Sequence, residues 1–175
     1  MTHIDLKHKN ILITGASKGI GQGIADYAMQ MGAMVAVHYN SDKEAAEALV
    51  YKYPETQSKV FHADLSQTQD VINLFENVLK EFGSIDTIIL NAGVFQKHSS
   101  QSDLDDWFSV WKSTMAINLD AVGILTKLGI DHFREHNGGR FIYIGSRAVF
   151  RGETEEYLAY AASKGGLTSL ARSVA

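Results

Sequence analysis

The chain has 175 residues, 45% of them hydrophobic and 21% charged, which is enough for one domain with a substantial buried core and ordinary for a soluble globular protein. A net charge of −4 with no basic run excludes a nucleic-acid partner, and the absence of cysteine excludes disulfides and thiol chemistry. No apolar run approaches the ~20 residues of a membrane span, and the polar stretch 1–10 lacks the apolar segment of a signal peptide, so the expected setting is the cytoplasm.

Apolar runs alternate with helix-like segments along the whole chain. Ile11–Thr14 is the first, a short run with no polar alternation, as expected for a parallel strand buried on both faces. It leads into Gly15-Ala16-Ser17-Lys18-Gly19-Ile20-Gly21, followed by an amphipathic segment, Ile20–Met31. In that turn Gly15 permits a tight reversal, Gly19 lets backbone approach a pyrophosphate, and Gly21 allows close helix–strand packing. The helix start adds free N–H groups and the positive end of a dipole. The spacing G-x3-G-x-G departs from the G-x-G-x-x-G fingerprint, so the turn alone does not identify a cofactor.

Gly32 stops the first helix, and the next strand, Met34–His38, ends in Tyr39-Asn40-Ser41. A carboxylate there would bind an adenosine ribose 2′-hydroxyl and repel a 2′-phosphate, yet none occurs at residues 38–41. Asp42, the first acid, falls in the first turn of the next helix, Lys43–Tyr53. A strand at Val60–Asp64 follows, then a helix at Thr68–Phe82 with Ser66 as its N-cap and Gly83 as its stop. Another strand, Thr87–Asn91, runs into Ala92 and Gly93, where small residues let backbone approach a ligand and the Asn91 amide can tie neighbouring strands. Asp103 then caps one long helix, Leu104–Arg134, and Phe141–Ile144 is the fifth strand. The alternation predicts an α/β fold: a doubly wound parallel sheet, Rossmann-like, in the order 3-2-1-4-5, with one domain over residues 1–175. Ligands of such sheets bind beyond the carboxyl ends of the strands.

Tyr160 and Lys164 stand four residues apart, which puts both on one helix face in adjacent turns. An ammonium beside a phenol favours its ionised form, and the hydroxyl of Ser146, after the fifth strand, can share the same substrate oxygen. Taken alone such a pair is ordinary helix surface. Joined to the glycine turn, it points to proton transfer at an alcohol or carbonyl oxygen. A rival pattern is His132-Phe133-Arg134-Glu135-His136, an H-x-x-E-H spacing able to chelate zinc. It lies at a helix end away from the cofactor-facing side and no ligand-rich segment follows, so a solvated helix terminus is the expectation and no metal site is assigned.

Together, Thr14-Gly15-x3-Gly19-x-Gly21, Asp64-Leu65, Asn91-Ala92-Gly93, Asn118, Ser146 and Tyr160-x3-Lys164 resemble the short-chain dehydrogenases/reductases over essentially the whole chain. The resemblance implies an NAD(P)-dependent oxidoreductase moving a hydride between cofactor and a carbonyl or alcohol. Tyr160 would be the general acid or base, Lys164 its cation and a holder of the nicotinamide ribose, Ser146 a partner of the substrate oxygen, and Asn118 the anchor of a relay water. The cofactor set would comprise Gly15, Ser17, Lys18, Gly19, Ile20, Gly21, Tyr39, Asn40, Ser41, Asp64, Leu65, Asn91, Ala92, Gly93, Tyr160 and Lys164, with Asp64 accepting from the adenine amino group. Lys18, directly before Gly19, resembles the basic residue of NADP-preferring members, so NADP is expected rather than NAD.

The Ser-to-Tyr interval is one residue longer than the commonest family spacing, and the extra residue is expected in the loop Phe150–Tyr157. Val94, Phe95, Arg147 and Phe150 are expected at the pocket mouth. Members pair through helices that correspond to Leu104–Arg134 and Tyr157–Ala175, so a homodimer or homotetramer is expected. Leu167–Ala175 reads as the middle of a helix, and the two further strands and helical flap of the family are expected to be missing. A dinucleotide-binding chain without turnover is therefore the alternative reading. The substrate is left open among a 3-oxoacyl thioester, a sugar and a steroid-like ketone.

Overall fold

Five short strands form the centre of the molecule: β1 (Asn10–Ile13), β2 (Met34–Tyr39), β3 (Lys59–His62), β4 (Thr87–Leu90) and β5 (Arg140–Tyr143). They belong to a computed structural model that describes residues 5–175, so the first four residues of the polar N-terminal stretch lie outside the described residues. All pairings are parallel, and the order is β3-β2-β1-β4-β5, the order predicted from the sequence. Connections between parallel neighbours need crossovers, and helices α1 (Gly19–Gln30), α2 (Lys43–Tyr51), α3 (Thr68–Phe82), α4 (Leu104–Met115) and α5 (Ala121–Glu135) supply them. A short α6 (Ala148–Arg151) and the last helix, α7 (Leu158–Val174), follow β5.

Side chains of a strand alternate between faces, and both faces here are covered, which is why the strands read as unbroken apolar runs. Leu12, Ile88 and Leu90 face one layer with Leu74 and Val78 of α3, Leu125 of α5 and Leu167 of α7. Ile11, Ile13, Val35 and Val37 face the other, with Ala25 and Met29 of α1 and Leu49 of α2. The rule fails at the ends of the sheet. Strands β3 and β5 were expected to be buried, but each pairs on one side only, and their residues are half-buried or exposed.

Two further expectations differ from the structure. The expected single helix Leu104–Arg134 breaks into α4 and α5 around a π-helical turn, Ala116–Asp120. That turn carries Asn118 inward, to a position with no solvent exposure. Ser66 is not the cap of α3: Gln67 takes the N-cap position and makes no side-chain bond there. Ser66 instead gives its N–H to the Asp64 carboxylate at 2.9 Å. Asp103 does cap α4, accepting from Asp106 N–H at 2.9 Å, and Gly83 ends α3 at φ +77°.

Candidate active site

The carboxyl end of β1 runs into the glycine turn, which the end of β4 locks in place. Thr14 Oγ accepts the N–H groups of Asn91 and Ala92, each at 3.0 Å. The Asn91 amide donates to the carbonyls of Thr14 at 2.9 Å and Gly15 at 3.0 Å. Gly15 sits at φ +64°, where a side chain is strained, and α1 begins so close beneath it that a Cβ on Gly21 would lie 2.3 Å from the Gly15 oxygen. Gly21 thus packs inside the turn, whereas a Cβ on Gly19, at φ +58°, would meet no heavy atom within 4 Å. Gly19 is the open side, at a helix start with no acidic residue in its first turn, so the dipole and free N–H groups there suit an anion.

Beyond this turn lies a cleft of about 360 Å³. Of the residues predicted to hold a cofactor, Gly15, Ser17, Lys18 and Ile20 line its near wall. Asn40, Ser41, Asp64 and Leu65 form the side beyond β2 and β3, and Asn91, Ala92 and Gly93 form the side beyond β4. Tyr39 does not belong to this lining: it is 8% exposed, packs with the core around β2, and stands 5.4 Å from the His62 ring. The lining also includes three residues that the sequence did not single out for a cofactor: His38, Val94 and Ile117. The Ser66 N–H holds the Asp64 carboxyl below the usual carboxylate range, so it is an anion throughout neutral pH. The open glycine backbone, the unopposed helix start and the exposed Lys18 fit the phosphates of a dinucleotide.

Of the residues predicted to handle a proton, Lys164 stands behind the Gly93 end of this cleft. Lys164 is only 4% exposed, and its ammonium donates to the Ile144 carbonyl at 2.8 Å. A Cβ on Gly93 would stand 3.7 Å from Lys164 Nζ, so the charge lies directly behind the cleft wall. Burial pushes the ammonium below its ordinary value. One of its three N–H donors is spent on Ile144, leaving two for a ligand's hydroxyls. Tyr160, one turn earlier on α7, is half-buried and meets the Phe95 ring edge-on at 4.7 Å. Ser146 follows β5, and its Oγ accepts from Ala148 N–H at 3.1 Å, which leaves the hydroxyl hydrogen free. The loop expected to hold the extra residue contains the end of α6, Gly152 at φ +72° and a 3₁₀ turn, Glu155–Tyr157.

Asn118 is used differently from the expectation. Its Oδ1 accepts from Val94 N–H at 2.8 Å, and its Nδ2 donates to the Val94 carbonyl at 2.9 Å and Ser163 Oγ at 3.1 Å. With both amide hydrogens spent, the side chain ties the residues after Gly93 to α7 rather than presenting a donor to water.

The segment after Gly93 is strapped to the start of α7. Phe95 stacks on Tyr157 at 4.0 Å, and Lys97 pairs with Glu156 at 2.8 Å. His98 N–H donates to the Glu156 carbonyl, and its buried ring accepts from Ala159 N–H at 3.3 Å. Of the other three residues expected at the mouth, Val94 lines the cleft and the remaining two are exposed. Arg147 is exposed and Phe150 is 84% exposed. The rival zinc histidines are spent on backbone: His132 Nε2 accepts from Ile85 N–H at 3.0 Å, and His136 Nδ1 donates to the His132 carbonyl at 2.8 Å. Their rings stack at 4.0 Å instead of converging on an ion, and among the described residues no group of three potential ligands gathers anywhere.

Comparison with known proteins agrees with this geometry. The sequence profile described as short chain dehydrogenase matches residues 9–175. A hydroxynaphthalene reductase-like protein of Metarhizium guizhouense is 31% identical over 97% of this chain and 62% of its own length, and that of Metarhizium acridum is 33% identical with the same coverage. The chain thus spans about 62% of the length of these curated relatives. Among solved structures, an NADH-dependent reductase responsible for alginate metabolism, complexed with NAD, superposes with a TM-score of 0.86 at 31% identity, covering 96% of this chain and 72% of the other. A short chain dehydrogenase of Burkholderia cenocepacia in complex with NADP gives 0.81 at 31% identity, over 97% and 69%.

Proposed function

The chain belongs to the short-chain dehydrogenase family, and we propose that it serves a reaction moving a hydride between NADP(H) and the carbonyl or alcohol carbon of a small molecule. The observation that carries this reading is the buried Lys164 ammonium, 3.7 Å from where a Cβ on Gly93 would stand and one helical turn from Tyr160. A buried cation with no carboxylate partner among the described residues costs stability, and a fold keeps such a group where it acts.

When bound, the nicotinamide supplies or takes up the hydride. The residues of the chain handle the proton. In reduction the Tyr160 phenol gives its proton to the alkoxide oxygen, and in oxidation its phenolate takes one from the alcohol. Lys164 supplies positive charge beside that phenolate, and its spare donors suit ribose hydroxyls. Ser146, with its hydroxyl hydrogen free, donates to the substrate oxygen as negative charge grows there.

Two features favour NADP over NAD. Asn40 and Ser41 offer no carboxylate at the end of β2, and Lys18 is exposed on the cleft wall, where it can meet a 2′-phosphate. Neighbouring structures hold either nucleotide, so the preference rests on these residues. For the substrate, the Phe95, Tyr157 and Tyr160 rings at the mouth favour a flat apolar ketone over a sugar, in keeping with the hydroxynaphthalene-reductase-like names of the relatives; a 3-oxoacyl thioester fits the same chemistry. Leu104 and Phe108, exposed at 74% and 46% on α4, support self-association through that helix.

Dissociation constants for NADPH and NADH test the cofactor assignment. NADPH is expected to bind at least about tenfold tighter, the effect of ~1.4 kcal/mol from one charged contact. Tighter binding of NADH would overturn it. Tight binding of either nucleotide with no turnover of any ketone by the whole natural protein would favour a binding role.

A further inference from the structure

We propose that His38 is a positioning residue for the dinucleotide: its imidazole clamps the glycine turn to the opposite wall of the cleft. The proposal rests on the reading of that cleft as a nucleotide site. In the β1–β2 register Ile13 stands opposite Val37, so His38 lies one step beyond the last pair, beside the start of the turn. Two successive N–H groups of the turn end on this one residue. Gly15 donates to its Nδ1 at 2.9 Å, and Ala16 donates to its main-chain carbonyl at 2.8 Å.

Because Nδ1 accepts, the ring hydrogen resides on Nε2, which donates to the Ala63 carbonyl at 3.1 Å. Ala63 is followed directly by Asp64 and Leu65, which line the far wall. One ring thus joins the phosphate side of the cleft to its far side, and both of its nitrogens are satisfied. It is 2% exposed, and its remaining edge belongs to the cleft lining. Burial lowers its pKa to about 4, with His62 on β3 adding repulsion, so the neutral ring that this geometry requires holds at ordinary pH. A protonated ring would aim an Nδ1–H at the Gly15 N–H and open the clamp.

The clamp is tested by comparing the protein with H38N and H38L. The shorter amide of H38N keeps an acceptor near the Nδ1 position, whereas the leucine of H38L leaves the Gly15 N–H and the Ala63 carbonyl without partners. Two readouts are needed: NADPH affinity by fluorescence titration, and the hydrogen-exchange rate of the Gly15 amide by NMR without nucleotide. H38L is expected to speed Gly15 exchange and weaken NADPH binding, each by about tenfold or more, whereas H38N, which keeps the Gly15 end and loses the Ala63 end, should leave Gly15 exchange within about threefold of the parent and weaken NADPH binding by about threefold. If H38L does not fold, H38Q decides. Its longer side chain reaches toward Ala63 without holding an acceptor at Gly15, so it should lose affinity like H38L.

Parent-like NADPH affinity in a folded H38L or H38Q would overturn the inference. So would equal losses in H38N and H38L, which would make the ring itself the contact. A parent protein that binds neither NADPH nor NADH would overturn the proposed function and this inference with it, a pattern distinct from uniform tight binding.

Discussion

At the scale of single residues, buried imidazoles bear on stability in acid. His38 holds its neutral form in the native state with a pKa of about 4, while an unfolded chain restores the ordinary value of 6.5. Between those values the unfolded state binds the extra proton, so stability is full above pH ~6.5 and declines as pH falls toward 4. A shift of about 2.5 units corresponds to ~3 kcal/mol at 1.36 kcal/mol per unit. His132, also lowered chiefly by burial, acts in the same direction. Urea unfolding followed from pH 7 to 4.5 should show this decline, and H38N should flatten it. An unchanged slope in H38N would mean that other groups carry the acid sensitivity. Little of this was legible in the sequence. Val35-Ala36-Val37-His38-Tyr39 reads as a strand, and nothing in the order of residues says that the histidine accepts from a turn twenty-three positions earlier. The same holds for His98, whose bond to Ala159 spans sixty-one positions.

At the scale of elements, the first turn of α1 separates two kinds of glycine. Gly21 has no room: an alanine Cβ there would press on the Gly15 oxygen at 2.3 Å and the Asn91 amide at 2.4 Å. Gly23, two residues on, would meet nothing within 4 Å. G21A should therefore cost ~1–3 kcal/mol from overpacking or more, and loosen the turn, whereas G23A should gain ~0.5–1 kcal/mol as a better helix former. Paired thermal melts check both, and a neutral G21A would contradict the packing described for the turn. The role of Gly21 was legible, because close helix–strand approach demands a missing Cβ at a fixed offset from the strand. The π-helical turn between α4 and α5 was not. Met115-Ala116-Ile117-Asn118-Leu119 keeps an apolar helical pattern, and the extra residue per turn appears only when the bonds of Asn118 to Val94 and Ser163 are known. Edge strands β3 and β5 differ for another reason: their composition matches central strands, although the order predicted from the sequence already places both at the ends of the sheet.

At the scale of the whole molecule, parallel pairing brings the ends of all five strands to one edge of the sheet, and residues far apart in sequence meet there. That much followed from alternation, since the order β3-β2-β1-β4-β5 leaves a crevice at the switch between β1 and β4. Gly15 and Asn91 close this switch point through direct hydrogen bonds. What the alternation did not supply is the second layer of the site: the Phe95–His98 strap over α7 and the Asn118 tie beneath it. Both depend on side-chain contacts between loops and helices, which carry no periodic signal.

Tyr160 is the proposed handler of the proton, and the cleft lining proposed to hold the nucleotide does not include it. The most direct test is Y160F in the whole natural protein, read as kcat for a reducible ketone together with the dissociation constant for NADPH. The expected result is a fall in kcat of ~10²–10⁴, the usual worth of a positioned acid, while NADPH affinity stays within about twofold. Turnover within about tenfold of the parent at unchanged affinity would contradict the role given to Tyr160.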